Sequence, residues 1–187
     1  MSVEFDFSFP RRFACELLQE LPGGPAPLHY FPRGLAVGQD GVMVQVQPDA
    51  AERWIGMFAF GKFGNAGVTR VLSMPDPRLL CVVARGGGYL VTAASPNAWE
   101  PVNEIPIVDI RAVPGAGLVV FAGQTDLIAY GERGVSWRTK RVAWDGLRIL
   151  AVDDRAIIGE YWDLREDAMQ QFEVDLATGK VRGGVEA

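Results

Sequence analysis

The chain has 187 residues, of which 49% are hydrophobic and 22% are charged, and its formal net charge is −5. This balance is typical of a globular protein with ample apolar surface to bury, and it argues against intrinsic disorder. The 18 basic residues are mostly arginines scattered singly. A nucleic-acid-binding protein normally has a dense basic stripe, so this class is not favoured.

Cysteine, histidine and hydropathy restrict the chemistry further. Cys15 and Cys81 are the two cysteines and His29 is the single histidine, so no metal site built from Cys and His spacing is expected. We predict no metal and no cofactor. The start "MSVEFDFSFP" lacks the features of a secretory signal, and no apolar run approaches the ~20 residues that span a bilayer. These features predict a reduced, cytoplasmic location away from membranes.

The N-terminal segment 1–27 is predicted to form one strand and one short helix. Residues 3–9 alternate apolar and polar side chains, which is typical of a half-buried strand. Pro10 suits the first turn of a helix. Apolar side chains then recur at helical spacing over 11–21, at Phe13, Leu17, Leu18 and Leu21. The sequence "PGGPAP" ends this helix and predicts a linker at 22–27.

The rest of the chain, 28–187, has the rhythm of an all-β protein. Short apolar runs such as "GVMVQVQ", "RLLCVVARG", "GLVVFAG" and "RAIIGEYW" alternate with Gly, Pro, Asp or Asn every 8 to 12 residues. A repeat is visible when Leu35, Leu72, Ile110 and Ile149 are taken as origins, since they lie 37, 38 and 39 residues apart. The last unit fits this repeat if five extra residues lie in its middle hairpin, within "WDLREDAMQ".

Residues 174–181, "VDLATGKV", supply the most recognisable motif. The segment resembles the third strand, tight turn and fourth strand of a quinoprotein-like β-propeller blade. The resemblance implies about four antiparallel units of four strands and about 38 residues each, in a closed small propeller or an open arc within a single domain, 1–187. A β-sandwich or barrel is the alternative fold. The metal and cofactor ligands of quinone-cofactor enzymes are not matched, so their activity is not implied.

Carboxylates are densest in residues 151–167, where Glu160, Asp163 and Asp154 are weak catalytic candidates. Paired carboxylates can perform acid–base chemistry on glycosides. Asp residues in turns more often bond to their own backbone, which is the interpretation favoured for Asp154 and Asp163. Glu160 alternates with Ile158 after an apolar run, so we expect it to point inward, where it would need a partner.

Aromatic residues divide into two groups. Trp99 and Trp137 occupy the same repeat position, 27 residues after their origins, which favours packing between units. The dipeptides Trp144-Asp145 and Tyr161-Trp162 are candidate binding residues, because large aromatic side chains in loops are typical of recognition surfaces.

The leading functional hypothesis is a non-catalytic β-repeat domain that binds another protein or a small ligand, with no nucleic acid and no membrane as partner. Strand edges left unpaired would also permit self-association. The alternatives are an enzyme that uses paired carboxylates on a small polar or sugar-like substrate, and a small-ligand sensor or carrier. In "FEVDLATGKVRGG" the residues Asp175, Thr178 and Gly179 are interpreted as shaping a turn, in preference to a ligand-binding loop with Asp175, Thr178 and Lys180 as contacts. Functional residues are expected in the long hairpin that precedes this turn.

Overall fold

The computed structural model describes residues 3–34, 38–62 and 67–185. Within these ranges the chain forms 17 β-strands and one 3₁₀ turn, at Pro114–Ala116, and the strands lie in four sheets. The prediction of an all-β fold is confirmed. The chain divides into two compact units, 1–102 and 103–187, and each unit contains two of the sheets.

Sheet I, in the first unit, has the strand order β2-β4-β5-β3. Its strands are β2 (Phe13–Leu17), β3 (Leu28–Phe31), β4 (Gly41–Pro48) and β5 (Trp54–Ala59). Strands β4 and β5 form the central antiparallel hairpin, and β3 pairs with β5 in parallel. The repeat analysis placed these two central strands correctly. The predicted repeat origin, Leu35, lies outside the described residues. The strands that flank β4 and β5 are β2 and β3, and both precede β4 in the chain.

The predicted helix at 11–21 is wrong, because Phe13–Leu17 is strand β2 and pairs antiparallel with β4. Phe13 and Cys15 pack in the core of the first unit, whereas Leu21 is 54% exposed. The apolar residues therefore follow a period of two, not 3.6. A helix of about 11 residues is marginal by itself, and pairing with β4 satisfies the backbone while burying Phe13.

Sheet II completes the first unit, with the order β1-β6-β7-β8-β9. Its strands are β1 (Glu4–Asp6), β6 (Arg70–Ser73), β7 (Leu79–Ala84), β8 (Gly87–Thr92) and β9 (Trp99–Pro101). The N-terminal strand forms as predicted but is short, and it adds to β6 in parallel. Phe5 is exposed, so the expected apolar face is only partly buried.

The core of the first unit lies between sheets I and II. The rings of Phe31 and Phe58 are stacked with centroids 4.7 Å apart. The indole Nε1 of Trp54 donates a hydrogen bond to the Ala93 carbonyl oxygen at 2.8 Å. Trp54 belongs to sheet I and Ala93 directly follows β8 of sheet II, so this hydrogen bond joins the two sheets.

Sheets III and IV form the second unit, and both run in simple chain order. Sheet III contains β10 (Asp109–Val113), β11 (Leu118–Ala122), β12 (Leu127–Gly131) and β13 (Gly134–Arg138), and sheet IV contains β14 (Arg148–Val152), β15 (Ala156–Asp163), β16 (Ala168–Asp175) and β17 (Val181–Gly183). Every neighbouring pair in these two sheets is antiparallel. This four-stranded meander is typical of a propeller blade, whereas a sandwich has Greek-key connections.

The predicted repeat origins fall in the first strand of each repeat unit: Leu72 lies in β6, Ile110 in β10 and Ile149 in β14. Trp137 plays the packing role predicted for it. Its Nε1 donates to the Leu176 carbonyl oxygen at 2.7 Å, and so joins sheet III to the turn after β16. Gly179 in that turn has φ +69°, and a Cβ there would lie 2.8 Å from the Trp137 ring. Glycine is therefore required on both conformational and steric grounds.

None of the helical structure in the described ranges is long and apolar enough to cross a membrane.

Candidate functional site

The three candidate catalytic carboxylates are not brought together. Glu160 lies on the outer face of β15 and pairs with Arg148, with Oε1 and Nη1 3.1 Å apart. Its inward orientation was predicted wrongly, since Ile157, Gly159 and Tyr161 are the buried members of this strand. Asp163 and Asp154 lie at opposite ends of β15, about 30 Å apart along the chain at strand spacing. Glycosidase carboxylates lie roughly 5–9.5 Å apart.

Both acidic segments are used locally as turns, as the sequence indicates. The Oδ1 atom of Asp163 accepts hydrogen bonds from the Arg165 amide at 2.8 Å and from the Glu166 amide at 3.4 Å. Asp153, next to Asp154, accepts from the Arg155 and Ala156 amides at 2.7 and 2.8 Å. These backbone donors hold the pKa of Asp153 below its ordinary value.

The four candidate binding residues differ in exposure. Tyr161 packs in the core of the second unit, so it is not available at a surface as expected. Asp145 caps its own turn, since its Oδ1 accepts from the Gly146 amide at 2.7 Å. Asp145, Trp144 and Trp162 are all exposed, and the two tryptophans are the exposed aromatic residues of the set. The guanidinium of Arg141 lies over the Trp144 ring, 5.4 Å from its centroid.

Trp162 belongs to the hairpin of β15 and β16, the long hairpin, which extends beyond the rest of sheet IV. The pairing of β15 with β16 runs from Ala156↔Asp175 to Asp163↔Ala168. Strand β14 pairs with β15 only as far as Glu160, and β17 pairs with β16 only from Phe172 onwards. Residues 161–170 therefore form a two-stranded projection, and the extra residues predicted in the middle hairpin are its physical basis.

Exposed apolar side chains lie along the outer side of the long hairpin, in a strip that the paired residues Glu160 and Gln171 interrupt. Trp162 lies directly opposite Met169, and Ile158 lies opposite Ala151, beside the bulge that contains Leu150. Leu164 occupies the tip and is 68% exposed. We define the apolar strip by its five exposed members: Leu150, Ile158, Trp162, Leu164 and Met169.

Charged residues border the apolar strip. At the tip, "DLRED" brings Asp163, Glu166 and Asp167 next to Leu164, with Arg165 as the single cation. At the base, the pairs Arg148–Glu160 and Arg182–Glu173 balance their own charges. The tip of the long hairpin is therefore an apolar surface with an acidic border.

The second unit also contains a buried carboxyl, Glu104, beside the half-buried Asp126, and no sequence pattern singles these two residues out. Arg138 donates from Nε to Asp126 at 2.7 Å and from Nη2 to Glu104 at 2.9 Å, and Nη1 donates to the Asn103 carbonyl oxygen at 2.8 Å. Burial, and then the Asp126 charge, raise the pKa of Glu104 to about 7 despite Arg138. Glu104 and Arg138 are 34 positions apart in the sequence, and only the folding of sheet III brings them together.

In the described parts of the chain, no group of three or more His, Cys, Asp or Glu side chains is placed to hold a metal ion. The features of these parts are those of a propeller-like all-β chain.

Comparison with known proteins adds structures but no family. No protein family and no curated protein matches this sequence. Among solved structures, the chain is similar to dihydro-heme d1 dehydrogenase NirN in complex with DHE, with 16% identity and a TM-score of 0.47 over 79% of this chain and 32% of that one. It is also similar to the N-terminal domain of Nup159, with 12% identity and a TM-score of 0.43 over 99% of this chain and 53% of that one.

The chain thus spans about a third to a half of the length of these two structures. Both neighbours are β-propeller-type proteins. The propeller-like character of this chain is seen in its own four-stranded sheets.

Proposed function

We propose that this chain is a non-catalytic β-repeat binding domain that docks a partner protein on the long hairpin. One observation carries the proposal. Ten large hydrophobic side chains are exposed in the described residues, and half of them form the apolar strip of sheet IV. Concentrated exposed apolar surface is costly in water, and it commonly marks a protein–protein contact.

The residue types of the strip support docking. Trp is the residue most enriched among binding hot spots, and Trp162 is flanked across the hairpin by the flexible, polarizable Met169. The projection of residues 161–170 beyond the flanking strands gives a partner access to both edges of the hairpin. These features suit insertion of the tip into a groove.

The acidic border defines the chemistry of the partner. Asp163, Glu166 and Asp167 outnumber Arg165 around the tip. Complementary charge steers association and disfavours wrong partners. The partner surface is therefore an apolar groove with a cationic rim.

Site-specific photo-crosslinking tests the proposal. A photoreactive amino acid at position 164 is expected to cross-link one partner, and the same group at position 21 is expected not to. Leu21 is the matched control, because it is a leucine of similar exposure, 54% against 68%, in the first unit. The captured protein is then purified and its Kd measured with wild type, Trp162→Ala and Leu21→Ser.

We expect Trp162→Ala to weaken binding at least about tenfold, as for a hot-spot residue, while Leu21→Ser leaves the Kd unchanged. Equal cross-linking from both positions, or an unchanged Kd for Trp162→Ala, would show that the long hairpin is not the docking site. Self-capture would identify a second copy of the chain as the occupant and would contradict the docking of a different protein.

A further inference from the structure

A cavity of about 340 Å³ lies at the other end of sheet IV, between the end of β13 and the turn that joins β16 to β17. Its lining is cationic: Arg138, Lys140, Arg141 and Lys180 contribute side chains, together with Thr178 and Gly179. No carboxylate is among its lining residues in the described chain. The whole sequence has three lysines, and two of them meet here from positions 40 residues apart.

The backbone on both sides of this cationic pocket is firmly held. On one side, the Val142 amide donates to the Thr125 carbonyl at 2.7 Å, and the Val185 amide donates to the Val142 carbonyl at 3.0 Å. On the other side, Trp137 binds the Leu176 carbonyl and packs against Gly179. The like charges are therefore gathered by the fold, although their mutual repulsion opposes this arrangement.

Within the turn, the hydrogen bonds leave the lysine side chains available. The Asp175 Oδ1 atom accepts from the Thr178 amide at 2.8 Å and from its hydroxyl at 2.6 Å, and the Lys180 amide donates to that hydroxyl oxygen at 3.3 Å. Asp175 itself lines a different cavity, on the other side of the turn. Across the described parts of the chain, Lys140, Arg141 and Lys180 make no ion pair.

Arg138 has a different role from the other three cations. All three nitrogens of its guanidinium are engaged, with Asp126, Glu104 and the Asn103 carbonyl. It is a fixed wall of the pocket whose charge is already balanced. The uncompensated positive charge belongs to Lys140, Arg141 and Lys180.

We propose that this cationic pocket binds the phosphate group of a phosphorylated small molecule. Lysine ammonium groups are common phosphate ligands, and arginine matches phosphate geometry. Ligand sites for small molecules are typically about 300–1,000 Å³, so the pocket has room for a sugar phosphate. The net charge of −5 disfavours extended polyanions such as nucleic acid, whose affinity depends on many phosphate contacts.

The phosphate site is distinct from the proposed docking surface. The hairpin tip precedes β16 and the cationic pocket follows it, so the eight-residue strand separates them by roughly 25 Å. The proposal therefore does not depend on the docking of a partner protein.

The test is an NMR and calorimetric titration with inorganic phosphate at constant ionic strength. Wild type is expected to show saturable shifts confined to residues 138–141 and 176–181. The double variant Lys140→Gln/Lys180→Gln is expected to bind phosphate at least tenfold more weakly. Lys62→Gln is the matched control, because it removes the third lysine, which is exposed in the first unit, and it should leave the affinity unchanged.

Two further titrations, with glucose 6-phosphate and with a single-stranded oligonucleotide, test which class of phosphate-bearing molecule the pocket binds. Binding of glucose 6-phosphate, but not glucose, at this site supports the proposal. Shifts spread over the surface, an equal loss in Lys62→Gln, no binding of inorganic phosphate, or preferential binding of the oligonucleotide would each overturn it. Both lysines are exposed, so the double variant should keep the wild-type melting temperature; if it does not, the single variants provide the same comparison.

Discussion

The central strands of sheets II and III differ sharply from those of sheet IV. In β7 and β11 nearly every side chain is buried, on both faces of the sheet. In β15 and β16 buried and accessible residues alternate, and the outer face stays in water. Sheets III and IV have the same strand number and connectivity. The central strands of sheets II and III are nevertheless buried on both faces, whereas those of sheet IV leave one face exposed.

The test with the largest expected effect on stability compares two aromatic residues, one in sheet III and one in sheet IV. Phe121 in β11 is fully buried, whereas Trp162 in β15 is 41% exposed. Phe121→Ala should lower the free energy of unfolding by about 3–5 kcal/mol, because it leaves a cavity in a packed interior. Trp162→Ala should cost less than about 1 kcal/mol. Urea denaturation of both variants measures the contrast, and similar losses would mean that sheet IV is covered on both faces.

A second test concerns Glu104, which is buried in the second unit. The pKa of Glu104 is raised to about 7, so the folded protein binds this proton more tightly than the unfolded chain does. The stability that this proton contributes is complete below the ordinary glutamate pKa and is lost as the pH rises to about 7. Relative to wild type, Glu104→Gln should therefore gain about 2 kcal/mol between about pH 5 and pH 8.

The measurement is the difference in free energy of unfolding between Glu104→Gln and wild type across this pH range. Asp76, Asp153 and Asp175, whose pKa values lie below the ordinary value, are ionised in both the folded and the unfolded protein above pH 5, so they add no slope over this range. A difference that does not change with pH would contradict the raised pKa of Glu104.

A third test addresses how sheet III holds the turn of sheet IV. Gly179 and Gly146 both have φ +69°, but only Gly179 has the Trp137 ring where a Cβ would lie. Gly146→Ala should cost about 1 kcal/mol for its backbone conformation, and Gly179→Ala should cost about 1–3 kcal/mol more. Thermal unfolding of the two variants separates the steric cost from the conformational one. Equal losses would show that the Trp137 ring moves aside freely.

The smallest expected effect concerns Glu160 on the open face. Its pair with Arg148 joins two accessible side chains, 21% and 72% exposed. Exposed ion pairs contribute about 0–1 kcal/mol and are screened by salt. Glu160→Gln should therefore change the melting temperature by no more than a degree or two. A loss comparable to that of a buried group would restore the inward orientation that the sequence suggested.

Much of the fold was predictable because continuous and alternating apolar runs have different physical causes. "LLCVV" and "GLVVFAG" are apolar throughout, as strands buried on both faces must be, and they became β7 and β11. "QQFEVDL" alternates, and it became the one-sided strand β16. The segment 11–21 was mispredicted because five or six residues fit both periods, and the free edge of β4 decided the outcome.

The candidate sites were predictable only in part. The long hairpin was expected from five residues that broke the repeat, and its exposed Trp162 from a turn context. The cationic pocket was not expected, although "RTKR" at 138–141 places three basic residues in four positions and would have been the signal. A ligand-contact role for Lys180 was considered and set aside in favour of a hairpin turn, and the structure places Lys180 in the lining of the pocket.

After residue 40 the sequence by itself determined which segments become the central strands, because side-chain alternation and turn residues act over only a few positions. It also determined the count of charges that any surface has to carry. The tertiary structure alone decided which charged side chains lie close together. Glu104 and Asp126 both contact Arg138, and Lys140 and Lys180 line one pocket beside the turn that Trp137 contacts. These contacts depend on strand register and sheet packing, which join residues 22 to 40 positions apart and leave no local pattern in the sequence.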